Sequence, residues 1–206
     1  PALDAAPRGA ALRIALDERG VETAPVSDAE FGSAAGTEAP QGILALAEIP
    51  VALLDTVVLP ERARIVVLDG VQDPGNVGTI LRTAVAFATA VTLSLPGTAD
   101  VWNAKVVRSA AGALFHHPPI SLTWPELDEF LRATGTIFWG ADARGAPIED
   151  LVAPARLALA VGNEGAGLSG EARARVAQTV GIAITGDAES LNVAVAAGIL
   201  LHYLRA

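Results

Sequence analysis

The stretch Arg64–Ala88, RIVVLDGVQDPGNVGTILRTAVAFA, predicts the fold class of this chain. Its first six residues are almost continuously apolar, which is typical of a strand buried on both faces of a sheet. Glycines and a proline then mark a turn, and an amphipathic helix is predicted over residues 76–89. A buried strand followed by a turn and a helix is the beginning of an α/β fold with a parallel sheet.

The same alternation of strand and helix continues to the end of the chain. Further strands are predicted at AVTLSL, near Ile120, and at TIFWGAD, LALAVG and VGIAI, and further helices over residues 103–114, 124–133, 170–178 and 190–205. This order predicts a parallel sheet with helices on both faces. In such sheets, ligands bind at the loops that leave the carboxyl ends of the strands, here residues 69–76, 162–169 and 185–192.

Residues 1–50 are predicted to form a separate and smaller α/β unit. A helix is predicted at AALRIALDERG, where a glycine marks its end, and a strand is predicted at VETAPV. The spacing of Ser27 and Glu30 is that of a capping box at the start of another short helix. A second strand is predicted at QGILALAEI. About 50 residues bury too little surface for a stable core of their own. Because position 1 is also not a methionine, we expect a partial N-terminal domain, then a linker over 51–63 and the main domain over 64–206.

The composition excludes several classes of protein. The 206 residues are 51% hydrophobic and include no cysteine, which excludes disulfide frameworks, thiolate metal sites and thiol nucleophiles. No apolar run approaches the ~18 residues of a membrane-spanning helix, and no signal-peptide pattern is present. We therefore expect a cytoplasmic protein without a membrane partner. His116 and His117 are adjacent and lack further ligands nearby in sequence, so no metal site is predicted.

The net charge of −9 argues against a broad surface for nucleic acid. Any site for a polyanion must be built from a few local arginines, and a partner subunit can complete it. Lys105 and Arg108 lie three residues apart on a predicted helix and make a small basic edge. This edge is either an ordinary solvated face or a contact for an anion.

The first of the three loops leads to two polar residues on the helix 76–89. Asn76 is at a position where an amide can cap the start of the helix, which is the ordinary structural explanation. Arg82 lies six residues further on, or ~120° around the helix axis. Because arginine is rarely buried without a partner, Arg82 is either a solvated surface residue or the partner of an anion.

The second loop, AVGNEGAGLS, resembles a nucleotide-binding loop only superficially. Its glycines follow the pattern G-x-x-G-x-G, whereas a dinucleotide-binding turn requires G-x-G-x-x-G. Glu164 at its centre would repel a pyrophosphate, and the lysine of a phosphate-binding loop is absent. A plain turn is the simplest alternative, and a nucleotide-dependent dehydrogenase is disfavoured; binding of NAD would revive it. In the third loop, Ser190 and Asn192 both stand where a side chain can cap the last helix.

Together, three segments resemble the ordered motifs of the SpoU (TrmH-like) family of RNA ribose 2′-O-methyltransferases, in the SPOUT superfamily. The segments are DPGNVGTILRTAVAFA, LALAVGNEGAGLS and ITGDAESLNVAVAAGILLHYL. KVVRSAAGALFHHP resembles the segment between the first two motifs, and TEAPQGILALAEIP resembles the end of the family's N-terminal RNA-binding domain. The resemblance implies a trefoil knot at the C-terminus, the cofactor S-adenosylmethionine (AdoMet), an RNA substrate and a homodimer whose active sites draw on both chains.

The resemblance also implies roles for particular residues. The catalytic positions are Arg82, Asn76, Glu164, Ser190 and Asn192; the AdoMet-binding positions are Gly162, Ile182, Leu191, Val161 and Ile184; and the RNA-binding positions are Lys105 and Arg108. Since arginine side chains do not give up a proton in proteins, we expect Arg82 to clamp a phosphate and to stabilise the developing alkoxide instead of acting as a base. Glu164 and Asn76 are expected to hold Arg82 in place, and Ser190 and Asn192 to position the ribose or the methionine part of AdoMet.

The function implied is AdoMet-dependent methylation of a ribose 2′-hydroxyl in RNA. Ribosomal RNA is favoured over transfer RNA, because we associate the transfer RNA enzymes of this family with helical extensions instead of an N-terminal α/β domain. The alternatives are a transfer RNA 2′-O-methyltransferase and a non-catalytic RNA-binding or assembly factor with the same fold. Binding of AdoMet without methyl transfer would favour the non-catalytic factor.

Overall fold

The computed structural model describes residues 7–35 and 42–205. The chain divides into two compact units, Pro1–Ile49 and Pro50–Ala206. Within the described residues, no helix combines the length and the apolar character that crossing a membrane requires.

The first unit contains two helices, α1 (Pro7–Glu18) and α2 (Asp28–Ala35). The chain leaves α1 through Gly20, which adopts the left-handed conformation (φ 64°) that favours glycine. Before α2, the Glu30 carboxylate accepts a hydrogen bond from the Ser27 backbone N–H (2.9 Å), and the Ser27 hydroxyl accepts one from the Glu30 N–H (3.3 Å), which confirms the capping box.

The two strands predicted in the first unit are wrong. Residues 21–26 and 42–49 adopt no strand, while Gln41 lies outside the described residues. The side chains of these segments are mostly exposed, as at Val26 (55%) and Leu46 (96%). A strand is stabilised by hydrogen bonds to a neighbouring strand and by one buried face, and neither segment has them.

The second unit is built on one sheet of six strands. The strands are β1 (Ala63–Asp69), β2 (Val91–Ser94), β3 (Ile120–Ser121), β4 (Ile137–Pro147), β5 (Arg156–Gly162) and β6 (Gln178–Gly181). All neighbouring pairs are parallel, and the order across the sheet is β3-β2-β1-β5-β4-β6. The predicted parallel sheet is therefore confirmed. In the central pair, Asp69 lies opposite Gly162, so the loops that follow β1 and β5 leave the sheet side by side.

Helices cover both faces of this sheet, as predicted. They are α3 (Pro74–Ala86), α4 (Ala104–Ser109), α5 (Ala113–His116), α6 (Trp124–Thr134), α7 (Gly170–Arg175) and α8 (Val193–Leu204). Val66 and Leu68 of β1 face a core formed with α3, α4, α5 and α8. Ile65 and Val67 face a second core formed with α6 and α7. Apolar residues of the segment 51–63 pack against this second core, so the segment is a packed connection and belongs to the second unit.

Three helix boundaries differ from the prediction for identifiable reasons. The helix α3 begins at Pro74 with Asp73 as its cap, because a proline fits the first helical position and the Asp73 carboxylate accepts from the Gly75 N–H (2.6 Å). The last helix begins after Asn192, and Ser190 does not cap it. The predicted helix 103–114 is divided into α4 and α5, because Ala111 (φ 49°) and Gly112 (φ 88°) adopt left-handed conformations between them.

The C-terminal helix is tied to β1 by a buried arginine. Arg64 is 4% exposed and donates hydrogen bonds to the carbonyl oxygens of Leu204, Ala63, Pro154 (3.1 Å) and Ala155 (2.8 Å). Burial, with a smaller contribution from the charge of Arg62, lowers the pKa of Arg64. The last carbonyls of a helix lack partners within the helix, so Arg64 supplies at Leu204 a donor that α8 itself cannot.

Candidate active site

The three loops singled out in the sequence meet at the carboxyl ends of β1 and β5. Glu164, in the loop after β5, accepts hydrogen bonds from the backbone N–H groups of Gln72 and Asp73 (both 3.1 Å). It accepts a third from the Asn76 side-chain Nδ2 (2.9 Å). One carboxylate therefore joins the loop after β1, the start of α3 and the glycine-rich loop.

A second side-chain hydrogen bond brings in the C-terminal helix. The Asn192 Nδ2 donates to the Asn76 Oδ1 (3.0 Å), while the Asn192 Oδ1 accepts from the backbone N–H groups of Ala194 (2.9 Å) and Val195 (3.3 Å) at the start of α8. Asn76 thus accepts from Asn192 and donates to Glu164. We call Glu164, Asn76 and Asn192 the polar latch, since together they hold all three loops.

The polar latch favours an ionised Glu164. Partial burial raises the pKa of this carboxyl group, but the hydrogen bonds from Asn76, Gln72 and Asp73 outweigh burial and lower the pKa overall. The group is therefore a carboxylate at neutral pH and a hydrogen-bond acceptor only. In this arrangement Glu164 positions loops and carries no proton.

The lowered pKa of Glu164 leads to a prediction about acid stability. A folded-state pKa below the unfolded value means that ionisation stabilises the fold above the unfolded pKa, and that this contribution is lost as the pH falls through the folded pKa. In urea unfolding, we expect Glu164→Gln to be less stable than wild type at about pH 7, with a difference that shrinks towards about pH 3. A stability difference that does not change over this range would contradict the assignment. Glu171→Gln, an exposed glutamate on α7, is the control.

Asn163 is a site residue that the sequence interpretation missed. Its Oδ1 accepts from the backbone N–H groups of Gly165 and Ala166 (both 2.9 Å), and its Nδ2 donates to the Gly70 carbonyl (3.1 Å). The side chain therefore shapes the glycine-rich loop and ties it to the loop after β1. An asparagine that precedes Glu164-Gly165 is typical of such a local turn, so the signal was present in the sequence.

Beside the polar latch lies a cleft of about 640 Å³. All five residues predicted to bind AdoMet line it, namely Val161, Gly162, Ile182, Ile184 and Leu191, and Ser190 and Glu164 line it as well. The volume lies within the range of ~300–1,000 Å³ that small-molecule sites occupy. Its walls combine glycine backbone with apolar side chains, which suits the purine and ribose of an adenosine. The residues present therefore fit AdoMet.

Arg82 stands apart from the polar latch and from the lining of the cleft. It is exposed, and it makes no hydrogen bond or ion pair within residues 7–35 and 42–205. It lies about 9 Å along α3 from Asn76 and ~120° around the axis. The expectation that Glu164 and Asn76 hold Arg82 is therefore wrong within one chain, because their hydrogen bonds go to each other, to Asn192 and to backbone N–H groups.

The two residues predicted to bind RNA lie on α4, next to the start of α3. Lys105 forms an ion pair with Asp73 (3.2 Å), and hydrogen bonds from the Gly75 backbone N–H and from Lys105 lower the pKa of that aspartate. Arg108 is exposed and has no ion-pair partner in the part of the chain that the structure describes.

The histidines show no ligand geometry. His117 shares a hydrogen bond with the Thr92 hydroxyl (2.9 Å), and burial lowers its pKa, whereas His116 is exposed. Among the described residues, no three His, Cys, Asp or Glu side chains are grouped so that they could hold a metal ion.

The sequence of this chain is similar to those of known RNA methyltransferases. The model of the SpoU rRNA Methylase family matches residues 63–202. The 23S rRNA (guanosine(2553)-2′-O)-methyltransferase RlmP of Bacillus subtilis (strain 168) is 38% identical over 195 residues, 94% of this chain and 77% of that protein. The 23S rRNA (uridine(2479)-2′-O)-methyltransferase of Streptomyces viridochromogenes is 36% identical over 172 residues, 80% of this chain and 60% of that protein.

A solved structure extends the comparison to three dimensions. The SpoU methyltransferase AviRb from Streptomyces viridochromogenes, in complex with the cofactor AdoMet, matches with a TM-score of 0.71 and 34% identity over 76% of this chain. This chain spans 62% of the length of that AviRb chain.

Proposed function

Because this chain belongs to the SpoU rRNA Methylase family, we propose that it transfers the methyl group of AdoMet to a ribose 2′-hydroxyl of ribosomal RNA. The observation that carries the proposal is the cleft at the carboxyl ends of the strands. The residues at all five predicted AdoMet-binding positions line this cleft, and Glu164 of the polar latch lines it as well. The AdoMet complex of AviRb supports AdoMet as the cofactor. The names of the two 23S rRNA relatives support ribosomal RNA as the substrate.

The cleft holds AdoMet through its walls. The backbone around Gly162 and the apolar side chains of Ile182 and Leu191 hold the adenosine part. AdoMet supplies a methyl group that is already activated by the sulfonium. The protein therefore has to align the ribose 2′-hydroxyl with this methyl group and to help remove the hydroxyl proton.

Arg82 is the residue proposed to assist the hydroxyl. A guanidinium offers only hydrogen-bond donors and no acceptor, so Arg82 is suited to stabilise negative charge and not to act as a base. It clamps the target phosphate with two parallel hydrogen bonds and stabilises the developing alkoxide, while the phosphate or a water molecule accepts the proton. Its exposure and its freedom from other described side chains support this role.

A homodimer explains how Arg82 reaches a cleft that it does not line. An apolar groove of about 460 Å³ runs between α3 and α8, lined by Thr79, Thr83, Phe87, Ala194, Val195, Gly198, Ile199 and His202. We propose that a second copy of the chain covers this groove, with each Arg82 serving the cleft of its partner. The exposed apolar side chains of Val195 (51%) and Tyr203 (60%) support an interface on α8.

We propose four further features. The return of the chain from central β5 to edge strand β6, and then to α8 packed on α3, supports a C-terminal trefoil knot. The 23S rRNA relatives support ribosomal over transfer RNA, and also a cytoplasmic location. Residues 1–50 are proposed to contribute to RNA binding.

The reaction is tested by transfer of labelled methyl from AdoMet to separated ribosomal and transfer RNA fractions. We expect alkali-resistant 2′-O-methyl label in ribosomal RNA. Because hydrogen bonds to charged groups contribute about 1.5–3 kcal/mol, Arg82→Ala is expected to lower kcat/KM by about 10- to 100-fold. Arg82→Lys should restore little of it, since an ammonium cannot make the two parallel hydrogen bonds. AdoMet binding without any transfer would support the non-catalytic alternative instead.

Sharing of Arg82 between chains is tested by mixing two impaired variants. One is Arg82→Ala, and the other is Leu191→Asp, checked by calorimetry to have lost AdoMet binding. If Arg82 acts in the partner's cleft, refolded mixtures regain about a quarter of the wild-type sites, because half of the dimers are mixed and each mixed dimer has one intact site. If Arg82 acts within its own chain, the activity of the mixture does not exceed the average of the two separate variants.

A further inference from the structure

Phe115 on α5 is an aromatic side chain that the fold leaves in water. It is 61% exposed, and it is the one phenylalanine that is exposed among those in residues 7–35 and 42–205. Its neighbour Leu114 is completely buried, so α5 packs well without Phe115. The folding of the second unit therefore does not account for the position of this ring.

The two helices next to α5 in the fold or the chain carry exposed arginines, Arg82 on α3 and Arg108 on α4, that form no ion pair within the described residues. Gly78 of α3 packs closely against the end of α4, because a Cβ added at Gly78 would lie 2.0 Å from the Ser109 hydroxyl. The stripe of α3 that includes Gly78 therefore faces the end of α4. Arg82 is one helical turn beyond Gly78 on the same stripe, and α5 also contacts α3. Arg108 is exposed on the last turn of α4. Phe115 therefore lies on a helix that contacts the helix of Arg82 and that follows the helix of Arg108 in the chain.

This face differs from the groove assigned to the second copy of the chain. The groove lies on the side of α3 that meets α8, whereas Phe115 lies on the side that meets α4 and α5. Phe115 also does not line the cleft for AdoMet. Neither the cofactor nor the proposed dimer contact accounts for its exposure.

We propose that Phe115 stacks on an unpaired base of the RNA, with Arg82 and Arg108 holding the adjacent phosphates. This inference rests on the proposed function, since it names a contact of the same RNA. Single-stranded RNA is bound by aromatic side chains that stack on splayed bases, combined with cationic side chains along the backbone. An exposed ring on α5, with unpaired arginines on the contacting helix α3 and on the preceding helix α4, supplies both elements. In a chain with a net charge of −9, such cations act only locally.

The test compares Phe115→Leu with Phe115→Tyr in the full chain. The probe is a fluorescein-labelled single-stranded RNA of mixed sequence, about 12 nucleotides long, with the same RNA in a duplex as the control. We expect Phe115→Leu to weaken single-strand binding by about 5- to 100-fold and Phe115→Tyr to stay within about twofold of wild type. Duplex binding and AdoMet binding should not change, because paired bases cannot stack on the ring.

The salt dependence separates stacking from charge. Phe115→Leu should leave the slope of log K against log salt unchanged, whereas Arg108→Gln should reduce it by about one phosphate contact. Unchanged single-strand affinity of Phe115→Leu, or a change in its sedimentation or melting temperature, would overturn the proposal by showing that the ring is idle or packs in an interface. Neither outcome would contradict the proposed function. The proposed function is contradicted only if the wild-type protein transfers no methyl group to RNA.

Discussion

Gly162→Ala is expected to abolish the binding of AdoMet. A Cβ at this position would lie 2.4 Å from the backbone carbonyl carbon and oxygen of Gly167 and 2.5 Å from the backbone nitrogen of Leu168. Backbone atoms cannot rotate away as a side chain can, so the glycine-rich loop must move off the end of β5. Because this loop forms a wall of the cleft, we expect AdoMet affinity to fall by more than about 100-fold, or about 2.8 kcal/mol.

The control for this prediction lies in the same loop. At Gly165, a Cβ would meet nothing closer than the Asn163 Oδ1 at 3.7 Å, an ordinary contact. Gly165→Ala should therefore bind AdoMet within a few-fold of wild type in isothermal titration calorimetry. Equal affinities of the two variants would show that the close approach of Gly162 and Gly167 does not shape the cleft.

Arg64→Met is expected to be the most destabilising substitution of a charged residue in the second unit. Methionine fills much of the same space but leaves the carbonyls of Leu204, Pro154 and Ala155 without the donor that Arg64 provides. Buried acceptors that lose a charged donor cost several kcal/mol together, so we expect a loss of about 3–4 kcal/mol in the free energy of unfolding.

Urea unfolding of Arg64→Met and of Arg62→Met measures this loss. Arg62 is exposed two residues earlier in the chain, so its substitution should change stability by less than about 0.5 kcal/mol. Arg64→Lys should recover only part of the loss. The single ammonium nitrogen of lysine cannot reach carbonyls in three segments as the planar guanidinium does. Equal stabilities of the two methionine variants would contradict the role of Arg64 as the anchor of α8.

The sheet was predictable because its signal is local. RIVVLD and LALAVG are short apolar runs bounded by turns, a pattern that is typical of buried parallel strands. VETAPV and QGILALAEI have similar composition but form no strand, since pairing depends on a neighbour that composition does not reveal. The division between α4 and α5 depends on left-handed Ala111, a conformation that alanine rarely adopts.

The candidate site was predictable as a set of positions but not as a set of contacts. The motifs identified Asn76, Glu164 and Asn192, and the fold joins them by direct hydrogen bonds. Which amide donates to which acceptor depends on distances that no spacing in the sequence encodes. The helical period placed Arg82 ~120° around the axis of α3 from Asn76, and in the structure Arg82 is exposed and takes no part in the polar latch.

The polar latch has a consequence for how the chain acquires its fold during synthesis. Asn192 and Asn76 are 116 residues apart, so their hydrogen bond can form only after 116 further residues have been added to the chain. At roughly 5–20 residues per second, that interval is on the order of ten seconds. Throughout it, the apolar strand β1 has emerged without α8 to cover one of its faces. We therefore expect β1 to be prone to aggregation in the nascent chain during this interval, and the hydrogen bonds of the polar latch to form only after Asn192 has been made.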